Sequence, residues 1–148
     1  PVTRAEFARL LQTPFERPKT RQALKFTDVA PNYWATSAIN EAVQTGFMSG
    51  YPKGIFQPDQ QIPLYQLQIA LATGLGLSAA AQPESVLANY RDARALPKWA
   101  SPKVAAAIEA GIVKPNTQTL TPNQVATRAD AAALIYQALA KAGKVKQR

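Results

Sequence analysis

From Trp34 onward, apolar side chains recur at Ala38, Ile39, Ala42, Val43 and Phe47. That spacing keeps one face near the 3.6-residue period and predicts an amphipathic helix. The same face returns at Trp99, Val104, Ala107, Ile108 and Ile112. Gly46 and Gly111 sit where these helices should stop, because glycine takes the left-handed C-terminal conformation at little cost. A second kind of helix start lies at Thr3 and Thr127, each suited to an N-cap, with an acid three residues on at Glu6 and Asp130. Thr3 with Glu6 makes a capping box; Asp130 is the weaker match because its side chain is shorter. At the corresponding place in mid-chain, Pro63 suits the first turn of a helix. The intervening stretch SGYPKGIFQPDQQI (49–62) is too rich in Gly and Pro for regular structure. No segment reads as a strand, so the expected fold is all-α with long Gly/Pro-rich loops.

The pattern is repeated. Phe26-Thr27-Asp28 is answered 64 residues on by Tyr90-Arg91-Asp92, and Trp34-Ala35 is answered 65 on by Trp99-Ala100. Gly46-Phe47 returns 65 on as Gly111-Ile112, and Phe56-Gln57-Pro58-Asp59 returns 64 on as Leu120-Thr121-Pro122-Asn123. The small changes in offset are single-residue slips in loops. A Thr-Arg-Ala-acid step appears as Thr3-Arg4-Ala5-Glu6 and as Thr127-Arg128-Ala129-Asp130. The middle copy has Pro63-Leu64-Tyr65-Gln66 instead and keeps its frame through Ile62, Leu67 and Leu71. Repeats of this length organise the whole chain. Residues 1–12 are the back half of a first repeat, 13–25 a linker with Pro14 and Pro18, and 26–77 a full repeat. Residues 78–89 form a second linker with the small-residue run Ala79–Ala81, 90–140 are a second full repeat, and 141–148 a basic tail. On this reading the chain begins halfway through a unit, and Pro1 is expected to be the start of a fragment.

Composition narrows the chemistry. At 148 residues the chain suits one domain or a few small repeats packed together, and 47% hydrophobic residues supply a core. The absence of cysteine excludes a disulfide framework, a thiolate zinc site and a cysteine nucleophile. The absence of histidine excludes a Ser-His-Asp triad and removes the commonest metal ligand. No metal and no cofactor are expected, and any catalysis would rest on carboxylates, lysines or tyrosines. The net charge of +8 favours an anionic partner: nucleic acid, anionic lipid or acidic polysaccharide. Apart from the tail at Lys141, Lys144, Lys146 and Arg148, read as a solvated end, the basic residues are scattered. No apolar run is long enough for a membrane span. No signal peptide is visible, so an exported form would have lost its leader or carry it outside these residues.

The ordered set Phe-x-Asp-Val, Trp-Ala, Ala-Ile-x-x-Ala, Gly, Gly-Tyr, Phe-x-Pro and Thr-Arg-Ala-acid resembles the S-layer homology motif. It covers 26–77, 90–140 and, in part, 2–12. The resemblance implies motifs in threes, packed as a pseudo-threefold helical module with grooves between neighbours. It implies non-catalytic anchoring of envelope proteins to anionic, peptidoglycan-linked polysaccharide, often bearing pyruvylated amino sugars, in the periplasm or at the cell surface of Gram-positive or cyanobacterial envelopes. The Ala-rich ATRADAAALIYQALA resembles the cyanobacterial members. The family's ligand-contacting arginine falls on Arg4 and Arg128 by position. A guanidinium fork can hold a carboxylate with two parallel hydrogen bonds, and a helix N-terminus favours an anion. Gly50-Tyr51-Pro52-Lys53-Gly54 matches the family's Gly-rich loop, with Tyr51 as a stacking face and Lys53 as a second positive charge. Three departures leave the number of working grooves open: Leu64 stands where an Arg belongs, the last copy has Pro115-Asn116-Thr117 in place of the Gly-Tyr loop, and the first copy lacks its front helix.

Each of these residues has a plainer reading. Arg4 and Arg128 can pair with a nearby acid or lie on the surface. Trp34 and Trp99 head apolar helix faces and are expected in the core, with an indole N–H free to face a groove. Asp28 and Asp92 are expected to fix turns; Glu41 and Glu109 are expected on solvated helix exteriors. Competing functions also stand. A muramidase-like hydrolase needs two carboxylates across a cleft, but the candidates lie on separate repeats. Nucleic-acid binding would need clustered Arg and Lys on a recognition helix, which is not seen. A structural module with degenerate grooves, packed on an envelope protein such as a porin or S-layer subunit, is favoured by Leu64 and by the altered loop of the last copy.

Overall fold

The computed structural model describes residues 1–15, 17–113 and 119–142. Its helices are α1 (Arg4–Gln12), α2 (Thr36–Gln44), α3 (Leu64–Gly74), α4 (Pro83–Leu87), α5 (Ser101–Glu109) and α6 (Arg128–Lys141), with 3₁₀ turns at Ala93–Ala95 and Lys98–Ala100. Among the described residues there is no strand, only isolated bridges such as Thr3 with Gln61 and Pro63 with Val125. No described helix is long and apolar enough to cross a membrane. The one-turn helix α4 lies inside the stretch read as a linker; Pro83 starts it and Leu87 is buried.

Both capping boxes form. Thr3 Oγ1 accepts from Glu6 N–H (3.2 Å) while Glu6 Oε1 accepts from Thr3 N–H (3.0 Å). Asp130 was expected to be the poorer partner, yet Thr127 Oγ1 accepts from Asp130 N–H (3.0 Å) and Asp130 Oδ2 accepts from Thr127 N–H (2.9 Å). The extended backbone at Thr127 brings the shorter carboxylate within reach. Pro63 is the N-cap of α3 and not part of its first turn.

Just before α1, α3 and α6, three buried residues close a ring of backbone hydrogen bonds. Val2 N–H donates to the Ala126 carbonyl (2.8 Å), Ala126 N–H to that of Ile62 (2.8 Å), and Ile62 N–H to that of Val2 (3.2 Å). Incoming loops then satisfy the first free N–H groups of two helices. Arg4 and Ala5 donate to the Gln60 and Pro58 carbonyls (both 2.9 Å), and Leu64 and Tyr65 donate to those of Gln124 and Pro122 (3.0 and 3.1 Å). Among the described residues, no loop does the same for Arg128 and Ala129.

Packing sets α2 on α1 and α5 on α3, while α4 covers α5. α6 leans on α3 and α1 and receives no such partner among the described residues. The consequence is read in burial: Ala5 and Ala8 on α1 and Tyr65 and Gln68 on α3 are buried, whereas Ala129 and Ala132 on α6 are exposed.

Asp28 and Asp92 do more than fix local turns. Asp28 accepts from Phe56 N–H (2.9 Å) and Gln57 N–H (2.7 Å), and Asp92 from Leu120 N–H and Thr121 N–H (both 2.8 Å). Gln57 and Thr121 have left-handed backbones, with φ of 60° and 42°. Each carboxylate therefore pins a strained loop that delivers carbonyls to a helix start. Burial works to raise both carboxyl pKa values, but the backbone donors outweigh it and hold them below the usual range.

Candidate binding grooves

Three grooves border the arms of this arrangement. The first, about 260 Å³, is lined by Arg4 on α1, the Phe47–Tyr51 loop, Gln66 and Ala70 on α3, and Trp99. Arg4 is buried at 8% exposure. Its Nε donates to the Phe56 carbonyl (2.8 Å) and its Nη2 to the Ser49 carbonyl (2.6 Å). The guanidinium carbon lies 4.4 Å from the Phe56 ring centroid and 4.8 Å from that of Tyr51. Burial lowers the Arg4 pKa from its very high ordinary value, opposed by Tyr51 and Asp28, and the group stays cationic at neutral pH. With Nε and one Nη2 hydrogen engaged, the remaining donors are not used by any protein acceptor described.

The loop that carries this wall is tightly built. Tyr51 N–H donates to the Ile55 carbonyl (2.7 Å), and Lys53 and Gly54 turn the chain with φ of 69° each. A Cβ at Gly50 would stand 2.3 Å from Phe26 Cε1, so glycine is required there by close approach. Tyr51 Oη donates to Gln60 Oε1 (3.0 Å), which orients the ring. Lys53 is exposed at the loop tip and is not among the residues lining the Arg4 groove.

The second groove, about 510 Å³, is the counterpart one helix away: Arg128 faces Glu6 and Leu10 on α1, with Tyr33, Trp34 and Asp59 along its side. Arg128 is not held by carbonyls. Its side chain is 75% exposed, and Nη2 donates to Glu6 Oε2 in an ion pair. The Glu6 carboxyl pKa is lowered, first by the Thr3 N–H and, less strongly, by Arg128. No counterpart of the 47–51 loop closes this groove among the described residues.

The third, about 270 Å³, has Leu64 where the first has Arg4, and Val113, Leu120, Asp130 and Leu134 opposite. Gln68, 4% exposed, faces it with an Oε1 that has no hydrogen-bond partner among the described residues. Pro115, Asn116 and Thr117, expected to replace the Gly-Tyr loop here, lie outside the described residues.

Neither tryptophan is in the core. Trp34 is 59% and Trp99 68% exposed. Each precedes its helix by two residues, so the helical period that placed it on the apolar face does not apply to it. Trp34 leans on Tyr33 (5.5 Å between centroids), and Trp99 meets Tyr65 edge-on (6.1 Å). The structure thus brings Arg4, Gly50, Tyr51 and Trp99 to one groove and Arg128 and Trp34 to another, and leaves Lys53 apart. Gly54 borders a separate depression, behind the loop. Reading the sequence missed Phe56 as the ring under Arg4 and Glu6 as the partner of Arg128. The recurrence of Phe56-Gln57-Pro58 as Leu120-Thr121-Pro122 was the available signal for the first; the second joins residues 122 apart and had none. Among the described residues, no group of three acidic side chains could hold a metal ion.

The S-layer homology domain family model matches residues 25–62 and 89–132. An amylopullulanase of Thermoanaerobacterium thermosulfurigenes is 30% identical over 97% of the chain, which spans 8% of that protein. An exoglucanase, XynX, of Acetivibrio thermocellus is 27% identical over 97% of the chain, spanning 13% of the relative. The S-layer protein sap of Bacillus anthracis is 27% identical over 76% of the chain, again 13% of the relative. The chain therefore spans roughly a tenth of the length of these curated relatives.

Proposed function

Since the chain belongs to the S-layer homology domain family, we propose that it is a non-catalytic anchoring module of the cell envelope that binds an anionic, peptidoglycan-linked polysaccharide. The observation that carries this reading is Arg4: a cation fixed by two carbonyls and two rings, with donors to spare, in a groove rimmed by Tyr51 and Trp99. A preorganised guanidinium is suited to a carboxylate substituent, and the flanking rings offer faces to a sugar. The three-residue hydrogen-bonded ring at Val2, Ile62 and Ala126 supports a pseudo-threefold arrangement of the motif units 1–12, 26–77 and 90–140. Relatives called amylopullulanase, exoglucanase and S-layer protein suit a module that is a small part of larger envelope proteins.

The grooves are not equivalent on this reading. The Arg4 groove is the principal site, and Arg128 with Trp34 forms a second, partial one. The Leu64 groove, which lacks a guanidinium, serves packing, the role a structural module would give to all three.

Co-sedimentation with peptidoglycan sacculi, intact or acid-stripped of attached polysaccharide, tests the proposal. Binding is expected to intact sacculi only. It should fall about five- to thirtyfold in Tyr51→Ala and Trp99→Ala, whose rings each contribute on the order of 1–2 kcal/mol to binding. Equal binding to stripped sacculi, or variants as strong as the parent, would overturn it.

A further inference from the structure

The stretch from Arg17 to Lys25 is an exposed, irregular strap, tied where Thr20 N–H (3.0 Å) and Arg21 N–H (3.1 Å) both donate to the Gln44 carbonyl at the end of α2. It carries Arg17, Lys19, Arg21 and Lys25 with no acid between them, and all four are exposed. Among the described residues none of the four has a carboxylate within ion-pair reach. Two have a local explanation. The Arg17 guanidinium lies beside Gly76 past α3, and that of Arg21 beside Gly46 past α2, 3.7 and 3.8 Å from where a Cβ would stand. Cations near helix C-termini are favoured by the dipole, but that leaves their outward donors, and all of Lys25, unassigned.

Behind the Gly50–Tyr51 wall, the strap encloses a depression of about 630 Å³. Arg21 and Lys25 edge it, Leu24 and Phe26 supply apolar floor, and Ser49, Gly50 and Tyr51 form the side shared with the Arg4 groove. Leu24 is 50% exposed and offers an apolar face to the depression. A cationic rim over apolar patches suits a sugar ring bearing an acidic substituent. Arg4 and Arg21 address opposite sides of one loop.

We propose that this depression is a second anion subsite, in which Arg21 and Lys25 take an acidic group farther along the same glycan chain whose first acidic group pairs with Arg4. The proposal rests on the anionic-glycan reading of the Arg4 groove. It makes the module a reader of polymer and not of a single sugar, since two charges on one chain bind with the second contact effectively intramolecular.

Titration of the full chain with galacturonate and with tetragalacturonate, beside the sacculus assay, tests it. Variants are Arg21→Gln, Lys25→Glu and a charge-matched control, Arg91→Ala with Arg94→Ala, on exposed positions elsewhere. Lys25→Glu changes charge without touching the strap's hydrogen bonds, so its thermal midpoint should equal the parent's. The parent is expected to prefer the tetramer, and Arg21→Gln and Lys25→Glu should each cut that preference about fivefold while leaving galacturonate itself unchanged. The control should change neither. Loss of the same size in the control would show bulk charge at work and overturn the subsite. So would a parent that binds sacculi while both strap variants bind sacculi and tetramer as it does; the anchoring function would then stand. A parent that fails on sacculi removes the anchoring function and the subsite with it.

Discussion

Arg4 and Arg128 occupy the same step of the same motif, yet they live in different chemistry. Arg4 is buried, donates to the Ser49 and Phe56 carbonyls, and lies against two aromatic rings. Arg128 is 75% exposed and answers to the Glu6 carboxylate. The helices that carry them are capped alike. What differs is the loop brought against each: 49–60 arrives at α1 pinned by Asp28, and no described loop arrives at α6. A motif arginine is thus made into a preorganised cation by its neighbour's loop, not by its own helix. Where no described loop reaches the helix start, as at Arg128, the same residue pairs with Glu6.

The largest expected effect comes from removing the buried partner. Arg4→Ala strands two carbonyls and empties the space between two rings, and should cost about 2–4 kcal/mol in urea unfolding. Arg128→Ala, an exposed pair, should change stability by less than about 1 kcal/mol. Equal losses would break the comparison. Next comes Gly50→Ala, which forces the Arg4 wall away from Phe26 and should cost about 1–3 kcal/mol, with sacculus binding weakened alongside.

Acid should act through the two loop carboxylates. The Asp28 and Asp92 pKa values are depressed in the folded state, so their stabilisation is complete above the ordinary carboxylate pKa of about 4 and is lost as pH falls through the depressed values. Urea midpoints measured from pH 7 down to pH 3 should fall, and Asp28→Asn should flatten part of that slope. The smallest effect belongs to Glu6→Gln. It keeps an acceptor for the Thr3 N–H but releases Arg128, so stability should move by only about 0.5 kcal/mol. Uronate affinity at the Arg128 groove should rise, which would show that Glu6 occupies the place of a ligand carboxylate. Amide exchange sharpens the same contrast without mutation: Ala129, which has no loop acceptor among the described residues where Ala5 and Tyr65 have one, should exchange faster than either.

Much of this was legible along the chain. Thr3, Glu6, Thr127 and Asp130 announced two helix starts because capping is settled within four residues. The all-α class followed from periodicity, and the repeated Phe-x-Asp and Phe-x-Pro steps marked the residues that later meet as Asp28 and the 56–57 backbone. Local rules failed where a residue stands just outside its helix. Trp34 and Trp99 continued an apolar face on paper and are exposed in space, because each stands two residues before its α-helix, Trp99 in the 3₁₀ turn that leads into it.

By itself the sequence determined the helix starts at Thr3 and Thr127, the family and the net positive charge, all of which depend on near neighbours or on composition. Only tertiary structure decided that α2 packs on α1 and α5 on α3. The same holds for Arg4, which is gripped by carbonyls 45 and 52 residues away, and for Arg128, which is paired across the chain. The reason is physical: burial and hydrogen-bond partners at such separations are set by which loop reaches which helix end. No local spacing encodes that.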